Sequence, residues 1–391
     1  MHGFTFYEFF AGGGMARAGL GDGWNCVFAN DFDTMKASAY RANWGGDHLI
    51  EGDVAEIDVE QLPGTADLAW ASFPCQDLSL AGDYRGLSSA TSELKTRSGT
   101  FWPFWALMKD LNAEKRAPRL VVLENVFGAL TSREGEDFAA ICSALSYEGY
   151  RFGAVVMDAR HFVPQSRQRV FFIAVAAGLD VPLALAADGP SRLWHPPALL
   201  QAQARLPVAV RENWMWWNLN TPARRNTGFS DIIEDDPVGV RWHTQSETRR
   251  ILDLMTPLNR AKVDAALQAN RRIVGGVYRR TRPDGNGIRR QRAEVRFDDI
   301  SGCLRTPRGG SSRQTVLIVC GETVRSRLLS PREAARLMGL ADDYKLPRRY
   351  SDAYHLAGDG VCAPVVRHIA ANLLEPILQA TRRVPILIAA E

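Results

Sequence analysis

The sequence predicts an α/β protein: a mostly parallel, doubly wound sheet followed by a smaller domain of irregular pattern. Two observations carry this expectation. Over the first 175 residues short apolar runs alternate with helical patterns, as strands joined by crossover helices do. The alternation then stops at a segment, Gly178 to Pro197, that holds Pro182, Gly189, Pro190, Pro196 and Pro197 and punctuates the chain. Hydrophobic residues make up 46% of the 391 and charged ones 23%, a globular balance that excludes a disordered or fibrous chain.

Strands are expected at Thr5–Phe10, Cys26–Asn30, Ala66–Ser72, Arg119–Glu124, Ala154–Asp158 and Val170–Val175. Helical patterns fall between them at Phe101–Leu111 and Asp137–Ser146. Ligands of such a sheet collect at the carboxyl ends of its strands. Past the linker the pattern predicts one helix over Glu247–Asn270. A clean helix start follows at Ser330-Pro331-Arg332-Glu333, with Ser330 as N-cap and Glu333 closing a capping box. The end, Val365–Leu378, reads as an amphipathic helix. The longest apolar run, Phe171–Ala187, is broken by Asp180 and Pro182, short of the roughly 18 residues of a membrane helix. Glu8 stands where the apolar core of a signal peptide would lie, so a cytoplasmic location is expected. Six cysteines with no CxxC fit free thiols in a reducing compartment and offer no metal-ligand spacing.

The net charge of +3 conceals an uneven distribution. Leu185 to Arg325 carries 23 Lys+Arg against 14 Asp+Glu, an excess of nine cations, while the remainder carries 24 against 30. A basic middle suggests a polyanionic partner. Arg271 to Arg313 alone has 12 Arg and four acids. Within it Thr306–Gln314, with Arg308, Arg313 and Gln314, is the candidate for base contact, since Gly allows close approach and Arg and Gln read base edges. A solvated charged face is the competing reading. Trp214-Met215-Trp216-Trp217 is expected to anchor the core of the small domain.

Phe10-Ala11-Gly12-Gly13-Gly14 follows the first strand and precedes a helix. Glycines there let the backbone approach a ligand, and helix amides favour an anion or carboxylate. A plain tight strand–helix turn fits the same residues equally well. Asp31 ends the second strand roughly 20 residues later, where an acid accepts from ribose hydroxyls; Phe32 offers a ring to stack on a base. Asp53-Val54 ends a third short segment. Acids at successive strand ends favour a nucleoside-type cofactor.

Ser72-Phe73-Pro74-Cys75-Gln76 ends the next strand, and a Gly-, Ser- and Thr-rich stretch runs from Ser79 to Thr100. Free cysteines are usually buried and structural, but a thiol at a strand end before a long polar loop suggests a nucleophile beneath a lid. Glu124-Asn125-Val126 ends the fifth strand, where a partly desolvated carboxyl can hold and donate a proton; a salt-bridged structural Glu is the alternative. Gln165-Ser166-Arg167-Gln168-Arg169 precedes the last strand, with Gln165, Arg167 and Arg169 on one face.

Thiol, acid and Arg at strand ends, in this linear order, resemble the DNA (cytosine-5) methyltransferase family of bacterial or phage restriction-modification type. Phe10–Gly14 is similar to its cofactor loop and Pro74-Cys75-Gln76 to its nucleophile motif. Glu124-Asn125-Val126 is similar to its acid motif and Gln165–Arg169 to its QxRxR motif. Ser330–Tyr344 resembles the helix that braces the recognition domain, and Gly358–Val365 the final cofactor-side motif. The resemblance implies a Rossmann-like catalytic domain from residues 1–185 and 353–391, and a target-recognition domain over 186–352. It implies S-adenosylmethionine as methyl donor and double-stranded DNA as substrate, with a monomeric enzyme and a cognate restriction endonuclease that acts independently. Cys75 would be the nucleophile, Glu124 would face cytosine N3 and Arg169 its O2, with Arg167 supporting the nucleophile loop. Phe10, Ala11, Gly12, Gly14, Asp31, Phe32, Asp53, Val54, Pro74, Phe101 and Asp359 would form the cofactor site; Gln76 and Ser79 would lie on the DNA side. Two departures stand out. Asp359 replaces the usual Asn, and Ser98 separates Arg97 from Gly99. An RNA-modifying branch of the fold and a catalytically silent DNA-binding regulator are the rival readings. The large recognition segment disfavours the first, and the intact Cys75, Glu124 and Arg169 disfavour the second.

Overall fold

The structure, a computed structural model, describes residues 3–74, 100–283, 287–305 and 313–383. They fall into two compact units, with the chain passing between them after Met157, Arg167, Thr221 and Pro364. The first unit is built on a seven-stranded sheet: β1 (Phe4–Phe9), β2 (Trp24–Asp31), β3 (Leu49–Glu51), β4 (Leu68–Ala71), β5 (Leu120–Val126), β6 (Tyr150–Asp158) and β7 (Gln168–Ala176). Their spatial order is β3-β2-β1-β4-β5-β7-β6. β1 to β5 run parallel, and β7 runs antiparallel to β5.

The strand order reverses between β1 and β4, which opens a crevice at their carboxyl ends. Because β7 is antiparallel, its first residues lie at that same edge: Arg169 pairs with Val126. The strands are near-continuous apolar runs, and Leu120 to Leu123 are wholly buried, as expected of a sheet covered on both faces. The helix Phe101–Ala113 covers one face with Phe101, Phe104, Trp105, Met108 and Leu111, the i, i+3, i+4, i+7 stripe of an amphipathic helix.

Residues 186–221 pack with this sheet unit, beyond the expected boundary at residue 185. A short pair, β8 (Ala186–Ala187) and β9 (Trp216–Trp217), marks the place. The tryptophan cluster therefore anchors the large unit and not the small one. Trp217 is fully buried and donates from Nε1 to the Ile173 carbonyl at 3.2 Å, and Trp214 meets Phe152 edge-on at 5.7 Å. Gly153 is required there, since a Cβ would stand 2.0 Å from the Met215 carbonyl oxygen.

The second unit holds an antiparallel sheet of order β11-β10-β12-β13: β10 (Ile273–Pro283), β11 (Arg289–Arg296), β12 (Thr315–Cys320) and β13 (Thr323–Leu328). The helix expected over Glu247–Asn270 is two helices, Gln245–Asp253 and Pro257–Gln268. Pro257 lacks the N–H that a continuing helix needs but fits a first turn, with Thr256 as its extended N-cap. Both pack on the sheet through Ile251, Val263, Val277, Val295 and Leu317. The Ser330 capping box is present: Ser330 Oγ accepts from Glu333 N at 3.1 Å, and Ser330 N donates to Glu333 Oε2 at 2.7 Å. The C-terminal helix expected over Val365–Leu378 contains a π-helical turn, Ala370–Leu374, between Ala363–Ile369 and Glu375–Arg383. By length and composition Tyr350–Arg382 could cross a bilayer, but 61% of its apolar window is buried inside the protein, as in a core helix.

Candidate active site

The loop after β1 is stapled to the end of β2. Ala11 N donates to the Asn30 carbonyl at 2.9 Å, and Gly12 N donates to Asp31 Oδ2 at 2.8 Å. Asp31 Oδ1 accepts from Asp33 N at 2.9 Å. Burial pushes the Asp31 carboxyl up, against the pull of Lys36 and of the two amides. Each carboxylate oxygen has a second lone pair, so Asp31 keeps acceptor capacity for a ligand. Asn30 Nδ2 donates to the Ile50 and Gly52 carbonyls, which brings the Asp53 segment to the same edge. Asp53 caps the next short helix through Ala55 N at 3.0 Å, over a buried Val54. Phe32 is 62% exposed, a ring available for stacking.

The glycines of this loop have separate reasons. Gly14, at φ +75°, has no room for a Cβ, which would stand 2.3 Å from Trp44 Nε1; that nitrogen instead donates to the Gly13 carbonyl at 2.9 Å. Gly12, at φ +56°, would point a Cβ into open space. A glycine cradle with an open side, a buried carboxylate with spare acceptor capacity and an exposed ring fit a nucleoside ligand. Phe10, also at positive φ, lies edge-on to Phe104 at 6.4 Å. Phe101, expected in the cofactor site, packs inward. It is fully buried, stacked on Trp105 and packed behind Phe73, because it begins the apolar stripe of its helix. Pro74 is exposed. Asp359 is exposed at the end of the helix Tyr350–Asp359 in the second unit.

Beneath the loop lies a group that sequence reasoning used only to exclude a signal peptide. Glu8 is buried, accepts from Arg17 N at 3.3 Å, and its Oε2 has no hydrogen-bond partner among the described residues. Burial pushes its carboxyl up to about 8. A lone acid at an inward position of an otherwise apolar strand was the available signal.

At the far side of the crevice, Arg169 Nε lies 3.0 Å from Glu124 Oε1, both side chains largely shielded from solvent. The register explains the contact: Arg169 pairs with Val126, and Val126 and Glu124 share a face. Asn125, part of the acid motif but given no role from sequence, is buried. It donates from Nδ2 to the Phe73 carbonyl at 3.3 Å and accepts from Val126 N at 2.8 Å, which fixes the chain two residues before Cys75. Cys75, Gln76 and Ser79 lie outside the described residues, as does Arg308.

Arg167 is buried in the second unit. It donates to the carbonyls of Leu304 at 3.1 Å, Gly358 at 3.0 Å and Gly360 at 2.7 Å. Gln165 donates to the Leu337 carbonyl and accepts from Leu304 N. Gln314, expected to read base edges, is instead buried, its amide spent on Ser301 Oγ, Tyr278 OH and the Gly302 carbonyl. Arg313 lies over the Tyr350 ring at 4.9 Å.

Known proteins resemble the chain over most of its length. The type II methyltransferase M.NlaX of Neisseria lactamica is 27% identical over 375 residues, 95% of this chain and 96% of that protein. The type II methyltransferase M.HhaI of Haemophilus parahaemolyticus is 24% identical over 380 residues, covering 95% and 94%. The crystal structure of S. pombe Dnmt2 methyltransferase shares the fold, with a TM-score of 0.58 at 16% identity over 96% of this chain and 99% of that one. The sequence model of the C-5 cytosine-specific DNA methylases matches residues 4–375, and the chain belongs to that family of restriction-modification type DNA (cytosine-5)-methyltransferases.

Proposed function

We propose that the enzyme methylates C5 of a flipped cytosine in a specific duplex DNA sequence, through a covalent bond between Cys75 and C6 and with S-adenosylmethionine as donor. The observation that carries this reading is the Glu124–Arg169 pair at the crevice edge, with Asn125 of the same strand holding Phe73, two residues before Cys75. When bound, S-adenosylmethionine supplies an electrophilic methyl group; Asp31, Asp53, Phe32 and the Phe10–Gly14 loop would hold it. The Cys75 thiolate would add to C6 and the C5=C6 π pair would move to C5; C5 would then take the methyl carbon as its bond to the sulfonium sulfur breaks, leaving S-adenosylhomocysteine. The developing negative charge on the ring would be met at N3 by Glu124, protonated for this step, and at O2 by Arg169. A base then takes the C5 proton, the C5=C6 bond re-forms and the thiolate leaves. A stacked base cannot reach this geometry, so the cytosine leaves the helix at a cost of a few kcal/mol.

Arg167 acts as a positioning residue, through the carbonyls of Leu304, Gly358 and Gly360. The restriction-modification context of its type II relatives supports a restriction endonuclease that cuts the same site independently, and we take the methyltransferase itself to act as a monomer. The test uses duplex DNA containing 5-fluorocytosine at sites mapped by bisulfite sequencing. The wild-type enzyme with S-adenosylmethionine should form a denaturation-resistant adduct, and Cys75→Ser should bind the duplex without forming it. Methylation retained by Cys75→Ser, or methyl incorporation into tRNA and not into duplex DNA, would refute the reading.

A further inference from the structure

A polar cluster lies against the glycine loop and has no part in the chemistry described so far. Arg17 comes from the helix Met15–Leu20 that follows the loop, Tyr40 and Trp44 from the helix Thr34–Trp44, and His48 from the turn before β3. Arg17 Nη1 lies 2.6 Å from His48 Nε2 and 3.1 Å from the Tyr40 hydroxyl. Its guanidinium carbon stands 5.0 Å from the centre of the Trp44 ring and 5.9 Å from that of Tyr40. Trp44 in turn donates to the Gly13 carbonyl, and Trp44 and Tyr40 form the wall that Gly14 meets. One unbroken path of contacts joins His48 to the loop.

Chemistry fixes the direction of these hydrogen bonds. A guanidinium has donors and no acceptor, so Arg17 gives one Nη1 hydrogen to His48 Nε2 and the other to Tyr40. His48 Nε2 then carries no proton, which makes the ring neutral with its hydrogen on Nδ1. Protonating His48 removes the acceptor and sets a second cation 2.6 Å from Arg17. Burial and Arg17 hold the imidazole below its ordinary 6.5, against the pull of the exposed Asp47. Glu8 and Cys26 face the cluster from β1 and β2: Glu8 accepts from Arg17 N, and the Tyr40 hydroxyl donates to Cys26 Sγ at 3.4 Å. Burial pushes Glu8 up to about 8 and Cys26 to about 12, and raises Tyr40 as well. Arg41 of the same helix and Glu51 of β3 are paired with each other at 2.7 Å. Below neutral pH the change of charge in the cluster is therefore that of His48.

We propose that Arg17 and His48 are positioning residues for the cofactor: neutral His48 holds the Arg17 guanidinium on the Trp44 ring, and Trp44 holds the glycine loop in the shape that receives S-adenosylmethionine. This rests on the proposed function and extends it to two residues behind the loop. Protonation of His48 releases Arg17 from its acceptor, and the loop loses its brace. Cofactor affinity is full above the ionisation of His48 and weakens as pH falls through it, since binding favours the neutral ring. The loop holds the cofactor and not the cytosine, so the weakening falls on the dissociation constant and KM of S-adenosylmethionine and leaves DNA affinity alone.

The experiment is titration calorimetry of S-adenosylmethionine into the full-length enzyme across a pH series, with methylation kinetics and thermal melting at each pH. Wild-type affinity should fall at least about fivefold from about pH 7.5 to about pH 5.5. H48Q, whose amide oxygen accepts from Arg17 at every pH, should bind like the wild type near neutral pH and lose most of that fall; Asp31 accounts for what remains. H48K sets a permanent cation beside Arg17. At neutral pH it should bind as weakly as the wild type does at the acid end, and raise KM for S-adenosylmethionine by more than it lowers kcat. If H48K does not melt cooperatively, H48Q decides by itself. S-adenosylhomocysteine, which carries no sulfonium charge, should follow the same pH profile as the cofactor. In proton NMR the His48 ring should titrate below its ordinary value in the wild type and higher in R17M. A wild-type pH profile in H48Q, or a pH dependence seen with S-adenosylmethionine and not with S-adenosylhomocysteine, would overturn the proposal and leave the proposed function standing. A wild-type enzyme that binds neither compound at any pH would sink both.

Discussion

Gly12 and Gly14 are two residues apart in one loop, yet their alanine variants should fail in different ways. At Gly14 a Cβ would stand 2.3 Å from Trp44 Nε1, 2.6 Å from Trp44 Cδ1 and 3.0 Å from Tyr40 Cε2. The left-handed backbone costs an alanine about 1–2 kcal/mol. Displacing Trp44 loses its hydrogen bond to the Gly13 carbonyl, about 1 kcal/mol, and overpacking adds ~1–3 kcal/mol. Together these give about 3–6 kcal/mol for Gly14→Ala. Gly12→Ala meets only the backbone term, ~1–2 kcal/mol, since its Cβ enters open space. That methyl would occupy the open side of the loop, so the loss falls on cofactor affinity. Equilibrium urea unfolding by circular dichroism reads the first quantity, and titration calorimetry with S-adenosylmethionine reads the second. If Gly14→Ala is no less stable than Gly12→Ala, the clash is not the reason for that glycine. If Gly12→Ala binds the cofactor as the wild type does, the open side of the loop is not where the cofactor sits.

Two further expectations concern buried polar groups. Glu8 ionises near 8 in the folded chain against an ordinary value of 4.5, so the native state holds an extra proton between those values. The stability this contributes is full below pH 4.5 and is lost as pH rises through 8. Glu8→Gln should remove that loss, so its unfolding free energy relative to wild type should climb by as much as roughly 4–5 kcal/mol from about pH 5 to 9; a difference that stays flat with pH refutes this. Asn125→Ala should leave the Phe73 carbonyl and Val126 N–H without their partner, costing ~1–3 kcal/mol. It should also slow single-turnover methylation with little change in DNA affinity; unchanged single-turnover rates would show that Phe73 is held by other means.

Much of the fold was legible because local and global signals agree. The strand–helix alternation, the strand-end acids and the Ser330 capping box each have a direct physical sign in the chain. What was not legible depends on partners distant in sequence. The direction of β7 decides that Arg169 meets Glu124, and no local pattern encodes it. Gln314 looked like a base reader because it is polar and follows a Gly-rich loop, but Ser301, Tyr278 and Gly302 enclose it. Pro257 was a visible breaker inside the expected helix over Glu247–Asn270, and the apolar periodicity on either side concealed it. Phe101, placed in the cofactor site by motif position, also belongs to the buried stripe of its helix.

Among the described residues, the brace formed by Gln165 and Arg167 grips main-chain atoms, the carbonyls of Leu304, Leu337, Gly358 and Gly360 and the amide of Leu304, with the Cys303 and Met338 sulfurs beside them. Main-chain atoms are the same whatever residues carry them. Substitutions along the recognition segments can therefore change which sequence is read while the clamp that holds those segments stays intact. With that choice of acceptor, a graft from a relative should be held where the loop paths, not the side chains, are preserved.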